Sequence, residues 1–406
     1  MISYGRQHID EEDIQAVVDC LRSNALTQGP MVTQFEKAVA DYVGARYAVA
    51  VSSGTAGLHI AALAAGVGPG NALLTSPITF VATSNAAVYA GGTPLFADVD
   101  ADSQNITAET IAAVLTPRTR AIICVHLGGM PCDMDPIMAL ARQHDFKVIE
   151  DCAQAHGARY KGRSVGSIGH IAAWSFCQDK IMTTGGEGGM VTTDDEALWR
   201  AMWAFKDHGK SHAAVYDREH PPGFRWLHES FGTNWRMLEM QAVIGRIQLR
   251  RLPGWTARRE DNARQMASAL EPWASAHGCV RVPRLRCSGC VARLPQDCDQ
   301  GCGHAWYKFY FHVVPSRLAH GWDRDKVVAA LNEAGVPAYQ GTCSEVYLEK
   351  AFDGTDWRPK NRLPVARQLG ETSVMLLVHP TLDQVHIDKT CRALQNIMQA
   401  CSLPST

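Results

Sequence analysis

One lysine stands alone in the stretch SFCQDKIMTTGGEGGMV, Ser175 to Val191, between an apolar run and a group of glycines that surrounds a single carboxylate, Glu187. Most lysines are solvated, and Lys180 taken by itself fits an exposed lysine at a strand end. A strand-end amine has a second use, because it attacks carbonyl carbon and forms a Schiff base. SSGTAGLHIAAL, Ser52 to Leu63, sets Gly54 and Thr55 directly after a strand-like run and at the start of a helical one. Backbone amides and a hydroxyl then point at one spot, which binds phosphate through unpaired N–H groups and about half a positive charge from the helix end. The same turn is also an ordinary strand-to-helix connection. VIEDCAQAHG places Asp151 at the end of a buried strand, where a carboxylate is a helix cap, a metal ligand or the partner of a cation. A protonated pyridine nitrogen is one such cation, since pairing keeps both charges ionised where desolvation would neutralise them.

A phosphate cradle, a strand-end acid and a strand-end lysine, in that order along the chain, are the parts needed to hold pyridoxal phosphate. The lysine forms the Schiff base, the acid keeps the ring nitrogen protonated, and the ring accepts electrons from a carbanion.

The elements that must position these residues are legible as patterns. RYAVAVSS, NALLTSPITF, TPLFADVD, RAIICVHLGG and FKVIEDCA read as buried strands, separated by segments with apolar residues three and four apart. Strand and helix alternating in this way predict an α/β fold, a mostly parallel sheet with helices on both faces. In EEDIQAVVDCL the stripe Ile14, Val17, Val18 and Leu21 predicts a helix buried along that face, with acids in its first turn. Asp135 followed by Pro136 marks another helix start. A long helix is expected from about residue 237 to 252, and beyond it the texture changes. HAWYKFYFHVV, His304 to Val314, reads as a strand, DKVVAALNEAG as a helix closed by Gly335, and Ile387 to Ala400 as a last helix. The expected organisation is a large domain over residues 1–245 and a smaller α+β domain over 246–406.

Composition excludes some classes. A net charge of −2 with no basic block supplies no field for a polyanion, so nucleic acid is not expected as a partner. The chain shows no basic leader before an apolar segment and no membrane-length apolar run, which predicts a cytoplasmic protein with no membrane partner. Thirteen cysteines, most of them single within apolar runs such as Cys20, Cys124 and Cys152, suit reduced thiols better than a disulfide framework.

The blocks YGRQHIDEEDI, LTQGP, AVAVSSGTAGLHIA, SPITFVAT, ADVD, VHLGGMPCDMD, EDCAQAHGA, SFCQDKIMTTGGEGGMV and GTNWRMLEMQAVIG occur in that order almost end to end. In these the chain resembles the DegT/DnrJ/EryC1/StrS family of sugar aminotransferases, whose fold is that of aspartate aminotransferase, fold type I. The resemblance implies that Lys180 binds pyridoxal 5'-phosphate covalently and moves the substrate proton. It implies that Asp151 pairs with the ring nitrogen, that Gly54, Thr55 and Ser175 hold the phosphate, and that Phe80 stacks on the ring, where core packing is the alternative. Gln154 stands where many members carry a histidine near the ring hydroxyl, and it can hydrogen-bond but not titrate. Asn234 corresponds to an asparagine that reaches the phosphate of the neighbouring subunit, which implies a homodimer with shared sites; without the resemblance it is a turn residue before the long helix.

Two departures fall in the lysine block. Cys177 stands where many relatives have histidine, and TTGGEGG carries one glycine more than the commoner form. Four cysteines in CSGCVARLPQDCDQGC, Cys287 to Cys302, have spacing open to two readings: a tetrahedral zinc site or reduced surface thiols. The histidines of Phe205 to Ser230 meet a sugar or a diphosphate, or else are solvated.

The resemblance implies transfer of an amino group from an amino acid, usually glutamate in this family, to a nucleotide-linked keto sugar. The opening block, LTQGP and SPITFVAT are most similar to enzymes that aminate C4 of UDP-linked 4-keto-6-deoxy-N-acetylhexosamines for surface polysaccharides such as the O-antigen of lipopolysaccharide. C3 amination, and dTDP- or GDP-linked sugars, use the same cofactor residues. A cofactor-binding sensor is a reading from another class, and the related sugar dehydratases lack the lysine.

Overall fold

The computed structural model of the chain describes residues 7–220, 222–223, 225–275, 277–290 and 297–403. The first residues of the YGRQHIDEEDI block and residues 291–296 of the cysteine-rich segment lie outside that set.

Each of the five apolar runs contains a strand: β1 (Tyr47–Val51), β2 (Ala72–Thr75), β3 (Thr93–Phe96), β4 (Thr119–Val125) and β5 (Lys147–Asp151). A small hairpin, β6 (Arg159–Tyr160) and β7 (Arg163–Ser164), precedes β8 (Ile171–Ser175) and β9 (Gly189–Thr193). The strands are shorter than their runs because the residues after each one turn out of the sheet to line its carboxyl edge. The main sheet has the order β1-β9-β8-β5-β4-β2-β3, parallel except for β9. Side chains on both of its faces are buried, as the continuous Val, Ile and Ala runs require.

Helices α1 (Glu11–Arg22), α2 (Pro30–Val43), α3 (Gly54–Ala64), α4 (Ala82–Tyr89), α5 (Ala108–Ala112), α6 (Met134–His144) and α7 (Glu196–Lys206) belong to this half. Then α8 (Glu239–Leu270) leads to a four-stranded antiparallel sheet. Its strands are β10 (Val280–Arg281), β11 (Phe309–Val313), β12 (Ala338–Tyr339) and β13 (Ser373–Leu376), in the order β10-β11-β13-β12. Helices α9 (Arg324–Glu333), α10 (Pro364–Thr372) and α11 (Gln384–Cys401) complete the chain, and α9 ends ahead of Gly335 at φ +72°.

Three expectations are corrected. The long helix does not stop near residue 252 but continues through Pro253 to Leu270. A proline inside a helix costs about 3 kcal/mol. Leu252 and Trp255 on one side, and Ala263, Met266 and Leu270 further along, are buried in two different hydrophobic clusters, and burial of a large apolar side chain contributes about 1.5–3 kcal/mol. Packing therefore outweighs the local defect. HAWYKFYFHVV is a strand only from Phe309. Residues 304–308 leave the sheet to join the large half, where the Ala305 and Tyr307 amides donate to the Gly129 and Gly128 carbonyls. Helix α1 is rotated relative to its apolar stripe: Ile14 and Leu21 are 48% and 54% exposed, while Asp13 and Cys20 face α8. Asp13 accepts from Arg251 Nη1 at 2.8 Å and Gln248 Nε2 at 3.2 Å while Cys20 packs with Val243 and Ile244, so the contact between these helices is part ionic and part apolar where the sequence suggests an apolar one alone.

Strand register explains how distant segments converge. Gly189 in β9 lies opposite Val51 on one side and Ser175 on the other. A Cβ on Gly189 would fall 2.4 Å from the Ser53 carbonyl oxygen, so only glycine lets the turn from β1 into α3 pass over the end of β9.

Candidate active site

The carboxyl edge of the main sheet opens into a cavity of about 810 Å³, lined by Gly54, Thr55, Phe80, Asp151, Gln154, Ser175 and Lys180 together with residues of the second half. Ligands of α/β folds gather at this edge because the parallel strands deliver their following loops there. Of the cofactor residues expected from sequence, Asn234 alone is not among those lining it.

At one end of the cavity Ser53 caps α3, its Oγ accepting the Ala56 amide at 3.1 Å. The amides of Gly54 and Thr55, in the first turn, have no carbonyl within the helix to bond. A Cβ on Gly54 would come within 2.6 Å of the Ser175 Cβ, so the helix start lies flush against that serine. Thr55 is exposed toward the cavity side and Ser175 is 8% exposed. Amides, two hydroxyls and a positive helix end around a space that a side chain would fill are a donor set for a phosphate group.

Asp151 ends β5 at 5% exposure. Its Oδ2 accepts from Thr83 Oγ1 at 2.9 Å and its Oδ1 from the Ala153 amide at 3.1 Å. Because an ionised carboxylate only accepts, Thr83 spends its proton there and must itself accept from Thr79 Oγ1, 2.7 Å away. Burial nevertheless raises the Asp151 carboxyl above the usual range, against the lowering pull of the Ala153 amide, Thr83 and the charge of Lys180. Such a group gains most from a cation brought alongside it.

Lys180 sits in the loop between β8 and β9. The Lys180 amide donates to the Cys177 carbonyl, and the Gln178 amide to that of Gly186. Gly185, Gly186 and Gly188 have φ of +88°, +123° and +154°, so the glycines that flank Glu187 hold conformations closed to other residues. Cys177 Sγ faces Glu187 Oε1 at 3.6 Å. The Lys180 amine lies 3.6 Å from Asp179 Oδ1 and 5.1 Å from the centre of the Tyr307 ring, whose hydroxyl donates to Asp179 Oδ2 at 2.7 Å.

Phe80, 68% exposed, stands at the cavity and is not core packing. Gln154 Oε1 accepts the Gly128 amide at 2.7 Å, which leaves its NH2 group as the polar end for a ligand. Asn234 is exposed, pairs its backbone with Asp207, and accepts from Arg236 Nε at 2.9 Å. Thr83, Tyr307 and Lys308 are absent from the sequence reading. Thr83 lies three residues after Phe80 in SPITFVAT, a spacing that shares one helix face and could have flagged it. Nothing local marks Tyr307 and Lys308, which arrive from the second half. Lys308 is 5% exposed; burial pushes its amine down to about 7, Arg259 adds repulsion, Asp179 pulls the other way, and Lys180 adds repulsion.

The sheet order and this constellation define a pyridoxal-phosphate enzyme of fold type I, and the donors, the buried acid and the lysine fit that cofactor. The chain belongs to the DegT/DnrJ/EryC1/StrS aminotransferase family, which it matches over residues 7–395. It is a pyridoxal-phosphate-dependent sugar aminotransferase. An aminotransferase from Psychrobacter cryohalolentis is 54% identical with a TM-score of 0.92, covering 96% of this chain and 97% of that one. The spore coat polysaccharide biosynthesis protein SpsC of Bacillus subtilis is 35% identical over 98% of this chain and 97% of its own length. The GDP-perosamine synthase of Caulobacter vibrioides is 33% identical over 98% of each.

Two outcomes follow from the electrostatics. Asp151→Asn keeps the shape and the Thr83 contact but removes the charge, so turnover should fall by about 10²–10³-fold, the cost of losing one aimed polar contact in a dehydrated site. Cofactor should stay bound, as read by its visible absorbance, and undiminished turnover would contradict the assignment. The second outcome concerns Lys308, which in an unfolded chain titrates near 10.4. Between about pH 7 and about pH 10 the unfolded chain holds the extra proton, so stability contributed through this residue is lowest below pH 7 and rises across that window. Urea unfolding of the cofactor-free protein at a series of pH values should show that rise, and Lys308→Met should lack it; equal slopes would overturn the account.

Proposed function

We propose that this chain moves an amino group from L-glutamate to the C4 ketone of a UDP-linked 4-keto-6-deoxy-N-acetylhexosamine, supplying a surface polysaccharide such as the O-antigen of lipopolysaccharide. The enzyme works in the cytoplasm as a homodimer. The observation that carries the chemistry is the presence of Lys180 and Asp151 on one cavity of about 810 Å³.

When bound, pyridoxal phosphate supplies an electron sink and carries the amino group between donor and acceptor. With the cofactor in place, Lys180 would take the proton from the donor carbon and return it on the same face of the ring. Asp151 would keep the proton on the ring nitrogen, while Gly54, Thr55 and Ser175 would anchor the phosphate and Phe80 would cover a ring face. Tyr339, Thr342, Glu349 and Lys350 line the part of the cavity built by the second half, and the nucleotide sugar is assigned to that side. In this reading the cofactor domain runs to residue 245 and the smaller domain starts at 246, with α8 spanning both. The name of the Caulobacter relative supports a second reading, a GDP-linked acceptor.

The amino form of the protein, incubated with UDP-, dTDP- and GDP-linked 3-keto and 4-keto sugars, should aminate the UDP 4-keto compound fastest, as read by mass and NMR of the product. Preference for a GDP compound, or amination at C3, would overturn the narrower assignment.

The shared site rests on Asn234, which is exposed and outside its own cavity, and on apolar surface that one chain leaves open at Ile14, Leu21, Trp226 and Phe231. Asn234→Ala chains and Lys180→Ala chains should each be nearly inactive and regain part of the activity when mixed under exchange conditions. No recovery in a mixture shown to contain heterodimers would contradict a site completed by the partner.

A further inference from the structure

The four cysteines of the 287–302 segment are not surface thiols. Cys287, Cys298 and Cys302 are buried, at 5%, 9% and 6% exposure, and Cys290 is half-buried. Their sulfurs converge. Those of Cys287, Cys298 and Cys302 lie within 4.8 Å of one another, and that of Cys290 lies within the same distance of Cys298. Cys287 and Cys302 are 3.6 Å apart, too far for a disulfide, whose S–S bond is about 2.05 Å. Four thiolates set tetrahedrally about 2.3 Å from a zinc ion would stand about 3.8 Å from one another.

The backbone repeats the same device on each pair. In Cys287-Ser288-Gly289-Cys290 the Cys290 amide turns back on the Cys287 carbonyl, with Gly289 at φ +90°. In Cys298-Asp299-Gln300-Gly301-Cys302 the Gly301 amide turns back on the Cys298 carbonyl, with Gly301 at φ +76°. Gln300 Nε2 donates to the Gly289 carbonyl at 2.9 Å and so joins the two turns. The Lys161 amide donates to Cys302 Sγ at 3.2 Å, the kind of N–H contact that spreads the charge of a metal-bound thiolate.

We propose that Cys287, Cys290, Cys298 and Cys302 form a structural zinc site. Zinc binding converts four thiols to thiolates with release of four protons and no change of oxidation state. With all four positions filled by sulfur there is none left for a reacting water, so the site holds structure and performs no chemistry.

Its location states what is held. Ser288 donates to Asp133 Oδ1 through its amide at 3.2 Å and its hydroxyl at 3.0 Å, and Tyr160 donates to the same oxygen at 2.6 Å. Gly303 pairs with Arg159 in both directions, and the Gly162 amide reaches the Gly301 carbonyl. The cysteine segment is thereby fastened to the β6–β7 hairpin and the start of α6, immediately before residues 304–308. Those residues bring Tyr307 and Lys308 to the cavity at Lys180. The metal would set where that short stretch enters the large half.

The test begins with the native chain. Protein purified without chelator should contain one zinc per chain, released by a mercurial reagent and counted with a chromogenic chelator. Cobalt(II) in its place should give the intense visible bands of a tetrahedral thiolate complex. Cys298→Ser and Cys302→Ser should lose the metal, while Cys391→Ser, outside the cluster, should keep it. Failure of native protein to hold zinc or cobalt after reconstitution would overturn the proposal whatever the variants do, and so would iron with acid-labile sulfide or a Cys287–Cys302 disulfide in the non-reduced peptide map.

Discussion

A carboxylate taken out of water at the end of a strand is tolerable only if something positive comes to it. Asp151 has one hydroxyl and one amide for two oxygens, and burial holds its proton more tightly than usual. The rest of the site can be understood as the surroundings of that unmet demand. Thr83, itself bonded to Thr79, orients the carboxylate, the α3 end offers donors for the other pole of a ligand, and Lys180 lines the same cavity. A cofactor that is cationic at one end and anionic at the other answers both sites at once.

Bringing the two poles to one cavity depends on missing side chains. Without a Cβ at Gly189 the turn from β1 into α3 passes over the end of β9, and without one at Gly54 the helix start lies against Ser175. The glycines after Lys180 have a related role, since three of them take positive φ and fold the loop back so that the lysine stays near the strand ends. The catalytic geometry is therefore set as much by backbone packing as by the groups that react.

The sequence makes some of this legible for a physical reason. Strands buried on both faces leave continuous apolar runs, so the sheet can be read, and the residues after those runs are where a parallel sheet collects its ligands. Lys180, Asp151 and Gly54 were visible on that basis. What escaped depends on tertiary packing. The rotation of α1 accompanies the contact of Asp13 with Arg251 and the packing of Cys20 on Val243 and Ile244, pairings that no periodicity encodes. Passage of α8 through Pro253 follows from burial on either side of it. Tyr307 and Lys308 belong to a run that looks like strand but is pulled out of its sheet by the Gly128 and Gly129 carbonyls. The cysteine spacing left zinc and reduced thiols both open, and the burial and convergence of the sulfurs come from tertiary packing that spacing does not encode.

Two amines, those of Lys180 and Lys308, lie beside Tyr307, the second softened by burial to about 7 and so a chemically credible rival. Borohydride reduction of the cofactor-loaded protein, followed by peptide mass mapping, distinguishes them directly. The account requires the phosphopyridoxyl mass on the peptide that contains Lys180 and nowhere else. A label on Lys308 or another side chain, or protein that takes no label after saturation with the cofactor, would contradict it.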